Sequence, residues 1–282
     1  MTVKVGIVKL GNIGSAPLLE LLLDERADRK NINVRVFSSG AKLEKDDGEE
    51  IAKIAVAQEC DLYITTSPNA ALPGPSTARE ILHKTGKPLI VISDAPAKKM
   101  AKELPEDIGY IIVTVDPMIG ARREVLDPTE MALFNGYLTV LLAAAGAFEA
   151  IRIAIDTTIA SIEAGEQPAQ LPRLVIGPKE GAEALEFSNP YAYSMAYGAL
   201  EMAKNIASIN TNACFKVKDR KEYIPMIIAA HETLIMGVKM AEEARRIEKG
   251  ADAVFRTPHK KNITVYKREL MEKPKEREET AE

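Results

Sequence analysis

Short, continuous apolar runs separated by amphipathic stretches mark the first 125 residues of the chain. Residues 3–10, 33–39, 61–66, 88–93 and 110–115 each read as a strand. Their Val/Ile content is unbroken by polar alternation, which is the pattern of strands covered on both faces. Between them, residues 15–24, 46–58, 76–84 and 98–104 carry helical spacing. Alternating strands and helices of this length predict a Rossmann-like parallel sheet with helices on both faces.

The pattern changes after residue 125. Residues 128–150 are rich in Ala, Leu and Met with few turn signals, and 151–166, 182–209 and 221–251 continue in helical style. Residues 262–267 look like a short strand, and residues 267–282 carry 11 charges in 16 positions. The expected organisation is therefore an α/β coenzyme-binding domain over 1–125, a helical domain over 126–250, and a short C-terminal β segment with a charged, solvated tail over 251–282.

Composition narrows the function classes. With 28% charged residues and a net charge of −4, the chain has no global positive field for nucleic acid or anionic lipid. An acidic ligand would have to be met by local basic groups. The sequence opens directly on a strand-like run, and no apolar run approaches the roughly 20 residues of a membrane span, so a cytoplasmic protein is expected. Cys60 and Cys214 are read as reduced thiols. His231-Glu232 resembles the start of a zinc-binding helix, but position 235 is Ile, so no metal is expected.

In a doubly wound sheet, ligands bind beyond the carboxyl ends of the strands. Those ends read Gly11-Asn12-Ile13-Gly14, Ser39-Gly40-Ala41-Lys42, Ser67-Pro68-Asn69, Asp94-Ala95-Pro96, and Asp116-Pro117-Met118-Ile119-Gly120-Ala121-Arg122-Arg123. All are small, polar or rich in Gly and Pro. Gly11 to Gly14 precedes a helix, where glycine admits close backbone approach and the helix end offers unpaired N–H groups. The spacing departs from G-x-G-x-x-G, because Lys9 stands where the first glycine belongs. The second strand ends in Ser38-Ser39-Gly40 and lacks a ribose-binding acid. Both features disfavour a standard dinucleotide, and a tight turn with no ligand stays open. Pro73-Gly74-Pro75 is expected to stiffen the loop after Asn69. Arg122 and Arg123 are suited to carboxylates or phosphates, or to an interdomain salt-bridge cluster with Asp127 or Glu130. Asn189-Pro190-Tyr191 reads as a helix start. No nucleophile–base set or paired-carboxylate spacing stands out, which suits direct transfer between two bound organic molecules.

These segments, together with Lys4-Val5-Gly6-Ile7, residues 23–29, Tyr223-Ile224-Pro225 and Ala230-His231-Glu232, resemble the F420-dependent methylenetetrahydromethanopterin dehydrogenases of methanogenic archaea over essentially the whole chain. The run from Asp116 to Arg123 is the most specific part. Leu10, Ser15 and residues 70–72 depart from the family pattern. The resemblance implies an oxidoreductase of one-carbon metabolism without prosthetic group or metal. It would pass a hydride reversibly between methylene-tetrahydromethanopterin and coenzyme F420 in methanogenesis from carbon dioxide. It also implies a homo-oligomer, typically a hexamer. On this reading Gly11, Asn12, Ile13, Gly14, Ser39, Gly40, Lys42, Ser67, Pro68, Asn69, Asp94, Ala95 and Pro96 hold the coenzyme. Asp116, Pro117, Met118, Ile119, Arg122, Arg123 and Asn135 seat the pterin, with Asp116 hydrogen-bonded to its ring. No general base is assigned. An NADP-linked oxidoreductase and a non-catalytic ligand-binding module are the alternatives.

Overall fold

The computed structural model describes residues 2–23, 29–122, 124–167 and 169–276. The predicted strands form: β1 (Val3–Lys9), β2 (Ile32–Ser38), β3 (Leu62–Ser67), β4 (Leu89–Asp94) and β5 (Ile108–Val113). They alternate with α1 (Ser15–Leu22), α2 (Lys45–Val56), α3 (Pro73–His83) and α4 (Lys98–Lys102). A sixth strand, β6 (Arg173–Ile176), was not legible in the sequence, where residues 166–182 read only as a gap between helices. All neighbours pair in parallel, in the order β2-β1-β3-β4-β5-β6. β1 lies between β2 and β3, so the chain leaves it towards opposite edges, which makes the β1/β3 boundary the switch point of the sheet.

Side chains that alternate along each strand divide between two apolar layers. Val3, Val5 and Ile7 of β1, with Ile64, Ile92 and Ile111, face Leu18 and Leu19 of α1 and the helices that follow β5. Val8, with Val91 and Ile112, faces Ala52, Ala78, Leu82 and Ala101 of α2, α3 and α4. Burial on both faces explains the unbroken apolar runs.

The helical stretch after residue 127 resolves into α5 (Pro128–Ala144), α6 (Ala147–Ala164), α7 (Pro178–Ala184), α8 (Pro190–Thr211) and α9 (Arg220–Gly250). The stretch over 128–150, which has few turn signals, breaks at Gly146, whose φ of +99° belongs to the left-handed region where glycine is favoured. A Cβ there would stand 2.1 Å from the Gly181 carbonyl oxygen. Residues 182–209 likewise divide, because Asn189 caps a new helix by accepting the Tyr191 N–H at 2.8 Å. α9 is long and apolar enough to cross a membrane by length and composition alone. Its Ile227, Ala230, Leu234, Val238 and Ala241 are buried against α8 and α5, as in the core helix of a globular fold. The apolar layer that begins on β1 continues without interruption through α5, α6, α8 and α9.

The C-terminal strand expected at 262–267 is β8 (Ile263–Tyr266), the centre of a three-stranded antiparallel sheet with β7 (His259–Lys260) and β9 (Lys275–Glu276). The charged segment after Lys267 is therefore folded as far as residue 276. Arg268 stacks over Phe255 at 5.1 Å and donates to the Glu186 carbonyl oxygen. Both cysteines are free thiols, and burial raises the pKa of Cys60.

Candidate active site

The carboxyl ends of the strands are tied into a continuous rim. β1 ends at Lys9, and the chain then turns through Gly11 at φ +74°. Gly11 N–H donates to the Gly40 carbonyl at 3.0 Å, joining the β1 and β2 loops. Ser39 Oγ donates to the Lys42 carbonyl at 2.8 Å and closes the second loop on itself. On the other side of the switch point, Ser93 Oγ donates to the Ser67 carbonyl at 2.8 Å and accepts the Ala70 N–H at 3.0 Å. That single hydroxyl fixes the β3 loop to β4.

Asp116 ties the two halves of the rim together. It follows β5 and is 2% exposed. Its Oδ1 accepts the Gly14 N–H at 2.9 Å and its Oδ2 accepts the Ser15 N–H at 2.7 Å. These are first-turn donors of α1 that the helix itself leaves unpaired. Gly14 permits the contact, since a Cβ there would lie 2.7 Å from Asp116 Oδ1 and 2.6 Å from Leu138 Cδ2. Burial pushes the Asp116 carboxyl up to about 6, although the Ser15 and Gly14 groups pull it back down. Ser15 Oγ stands close enough to contribute to that pull but lies outside hydrogen-bond geometry.

Beside this clamp sits a second buried acid. Asp94, at the end of β4, is 4% exposed, and its Oδ1 has no hydrogen-bond partner. Burial, reinforced by the negative charge of Asp116, holds its carboxyl well above the usual carboxylate range. Thr66 Oγ1, at the end of β3, is also buried without a partner. Orphaned buried polar atoms are rare in folded proteins and usually belong to a site completed by water, an ion or a ligand. Three such atoms, Thr66 Oγ1, Asp94 Oδ1 and Ser15 Oγ, lie at the carboxyl ends of β3 and β4 and the start of α1. Among the described residues no group of His, Cys, Asp and Glu could hold a metal ion.

The structure thus brings together Gly11–Gly14, Ser39–Lys42, Ser67–Asn69, Asp94–Pro96 and Asp116. Asn12, Gly40, Lys42, Ala95 and Pro96 are exposed at the rim. Met118 and Ile119 continue from Asp116 along the α8 and α9 side, where the Met118 carbonyl accepts from Asn210 Nδ2 at 2.6 Å. Pro117 is buried. Pro73-Gly74-Pro75, expected as loop, is instead the first turn of α3. Proline at the first helical position loses only an N–H that would have no partner there. Gly74 also lies so close to Gly48 of α2 that a Cβ on Gly48 would meet its carbonyl oxygen at 2.1 Å.

Arg122 is engaged within the chain. Its Nη2 donates to the carbonyls of Ala213, Cys214 and Val217 at 2.9–3.1 Å, and its guanidinium stacks over Tyr223 at 4.1 Å. It closes the end of a π-helical turn at residues 212–216 rather than facing the rim. Asn135 Nδ2 donates to the Met131 carbonyl within α5. Arg123 lies outside the described residues. His231, part of a segment that carries the family resemblance but assigned no role in the site, is half-buried beside α5. Its ring packs on Phe134 at 4.7 Å, its Nε2 is buried without a partner, and burial lowers its pKa.

The comparisons with known proteins agree with one another. Residues 3–275 match the family described as methylene-5,6,7,8-tetrahydromethanopterin dehydrogenase. The F420-dependent methylenetetrahydromethanopterin dehydrogenase of Archaeoglobus fulgidus is 50% identical over 97% of this chain and 100% of its own length. The enzyme of the same name from Methanothermobacter marburgensis is 48% identical with the same coverage. A solved structure of F420 dependent methylene-tetrahydromethanopterin dehydrogenase, in complex with methylene-tetrahydromethanopterin and coenzyme F420, superposes with a TM-score of 0.93. It shares 40% identity across 98% of this chain and 100% of that one. With its sequence matched from β1 to β9 and its fold reproduced throughout, the chain belongs to the methylene-tetrahydromethanopterin dehydrogenase family.

Proposed function

We propose that this chain catalyses reversible hydride transfer between methylene-tetrahydromethanopterin and coenzyme F420, yielding the methenyl pterin and reduced F420. The observation that carries the reading is the full-length agreement with a relative whose solved complex holds both molecules. The rim supports the reading independently, because Thr66 Oγ1 and Asp94 Oδ1 are buried there without hydrogen-bond partners.

F420 supplies a deazaflavin ring able to accept a hydride, and the protein's task is to hold two organic rings face to face. Gly11 to Gly14, Ser39 to Lys42, Ser67 to Asn69 and Asp94 to Pro96 form the coenzyme side. Asp116, Met118 and Ile119 form the pterin side. Asp116 acts by fixing the Gly14-Ser15 backbone, so that both halves of the site share one anchor. Arg122 positions the neighbouring π-helical turn. The reading includes a homo-oligomer in the cytoplasm. Exposed Leu133, Val140, Ile228 and Met236 on α5 and α9 support self-association.

The assay mixes the protein with F420 and methylene-tetrahydromethanopterin and follows F420 absorbance. Loss of absorbance is expected. Turnover with NADP alone, or none with either coenzyme, would overturn the reading. Gly11→Val is expected to raise the KM for F420 at least tenfold. The branched Cβ enters left-handed backbone 2.9 Å from Leu43, at a stability cost of about 1–2 kcal/mol. A KM equal to wild type would remove the β1 loop from the coenzyme site.

A further inference from the structure

Between β5 and α5 the chain crosses from the sheet to the helices through residues 116–122, which belong to no helix or strand. Backbone groups in such a segment need partners from elsewhere to hold one position. Both ends have them. Asp116 is bonded to the Gly14 and Ser15 N–H groups at the start of α1, and Arg122 to the carbonyls of Ala213, Cys214 and Val217. Between these two anchors the segment rests on Asn210, in the last turn of α8.

Asn210 is fully buried. Its Nδ2 donates to the Met118 carbonyl at 2.6 Å, and its Oδ1 has no hydrogen-bond partner. That oxygen lies against Gly120: a Cβ there would stand 2.6 Å from Asn210 Oδ1 and 3.1 Å from Ile227 Cγ2. One amide therefore bears on the backbone from Met118 to Gly120, gripping the first by a hydrogen bond and the second by close approach. The His231 ring, packed on Phe134, approaches the Gly120 backbone from α9. A buried amide with an unpaired oxygen is a poor choice for stability alone, since an apolar residue of similar size would leave no polar atom unsatisfied at this position. What the amide adds is a fixed place for a stretch of irregular backbone.

We propose that Asn210 and Gly120 form a positioning pair for the pterin substrate. Asn210 has no exposed surface on which to meet a ligand, so it acts through the backbone of residues 118–120 and sets where the half-buried Met118 and Ile119 side chains stand. The inference rests on the function proposed above, with Met118 and Ile119 on the pterin side. Two variants reach the pair from opposite ends. Asn210→Leu removes the amide and keeps the bulk. Gly120→Ala keeps the amide and pushes the loop off it by one methyl group. Asn205→Ala, at an exposed position of α8, serves as the control.

Each variant should raise the KM for methylene-tetrahydromethanopterin about tenfold, while the KM for F420 stays within about twofold of wild type. Because both act through one contact, the double variant should raise the pterin KM no further than the larger single effect. Tm is read alongside. A side chain that only holds the fold together lowers Tm and the active fraction and leaves both KM values unchanged, and that result overturns the inference. An equal rise for both substrates, a double variant whose effects multiply, or a like rise in Asn205→Ala also overturns it. If Asn210→Leu does not fold, Gly120→Ala decides alone. An active wild type with variants of unchanged KM leaves the proposed function standing, whereas a wild type that turns over neither substrate overturns both.

Discussion

Two buried polar regions of this protein have opposite characters. One lies where the C-terminal sheet meets α6. There Arg152 binds Glu149 at 2.5 Å and Asp156 at 2.7 Å, Arg29 binds the other oxygen of Asp156 at 2.7 Å, and His259 reaches Asp156 at 3.1 Å. Thr257 Oγ1 donates to Glu149 at 2.9 Å. Each charge faces an opposite charge. The other region is the carboxyl rim, where Asp94 Oδ1 is buried without a hydrogen-bond partner and the group stands beside a second acid. The first region spends its charges on holding the C-terminal segment to the fold. The second leaves Thr66 Oγ1 and Asp94 Oδ1 buried without hydrogen-bond partners, which costs stability.

The largest difference should appear on removing a partner from the ion-paired network. Asp156→Ala leaves Arg29 and Arg152 buried without their shared counter-charge, and is expected to destabilise the fold by about 3–5 kcal/mol in chemical denaturation. Burial raises the Asp156 pKa, but the His259 hydrogen bond and the charges of Arg29 and Arg152 outweigh it and hold it at about 2. Because this value is depressed, its stabilisation is complete above the ordinary carboxylate range and drains as pH falls from there through about 2. A variant as stable as wild type at neutral pH would erase the contrast between the regions.

Asp116 lies between the extremes, being hydrogen-bonded yet raised to about 6. Asp116→Asn swaps an accepting oxygen for a donor facing the Gly14 or Ser15 N–H, at an expected cost of about 2 kcal/mol. The pH effect has the opposite sign to that of Asp156. A raised carboxyl favours the fold most below its unfolded value and loses that contribution as pH rises through about 6. Denaturation between pH 4 and 7 should therefore show a wild-type decline, from this group, that Asp116→Asn lacks. Parallel slopes for the two proteins would detach Asp116 from this titration.

The smallest stability effect is expected at Asp94. With no internal partner to lose, Asp94→Asn should change stability by less than about 1 kcal/mol while lowering kcat/KM at least tenfold. A large stability loss with normal kinetics would move Asp94 into the structural class with Asp156.

Much of the fold was legible because it rests on local periodicity. The apolar runs of β1 to β5 are long enough, and the helices between them amphipathic enough, to declare a parallel sheet. β6 was hidden because Arg173-Leu174-Val175-Ile176 is a four-residue edge strand, exposed at its first two positions, and it becomes a strand only by pairing with β5. Gly146 broke a helix for a reason 35 residues away, the close approach of Gly181. At the site, the rim loops were legible as strand ends rich in Gly, Pro and Ser. The use of Arg122 was not, since its three carbonyl partners lie more than 90 residues onward.

By itself the sequence determined the family and the parallel sheet, because these follow from residue type and spacing along the chain. Only the tertiary structure decided which polar groups stay free. Asp94, Asp116 and Asp156 are identical in chemistry, and their different fates arise from what the fold places beside each: another acid, two backbone N–H groups, or two arginines and a histidine. Burial raises the pKa of all three, and the neighbours decide how far each is pulled back or pushed further.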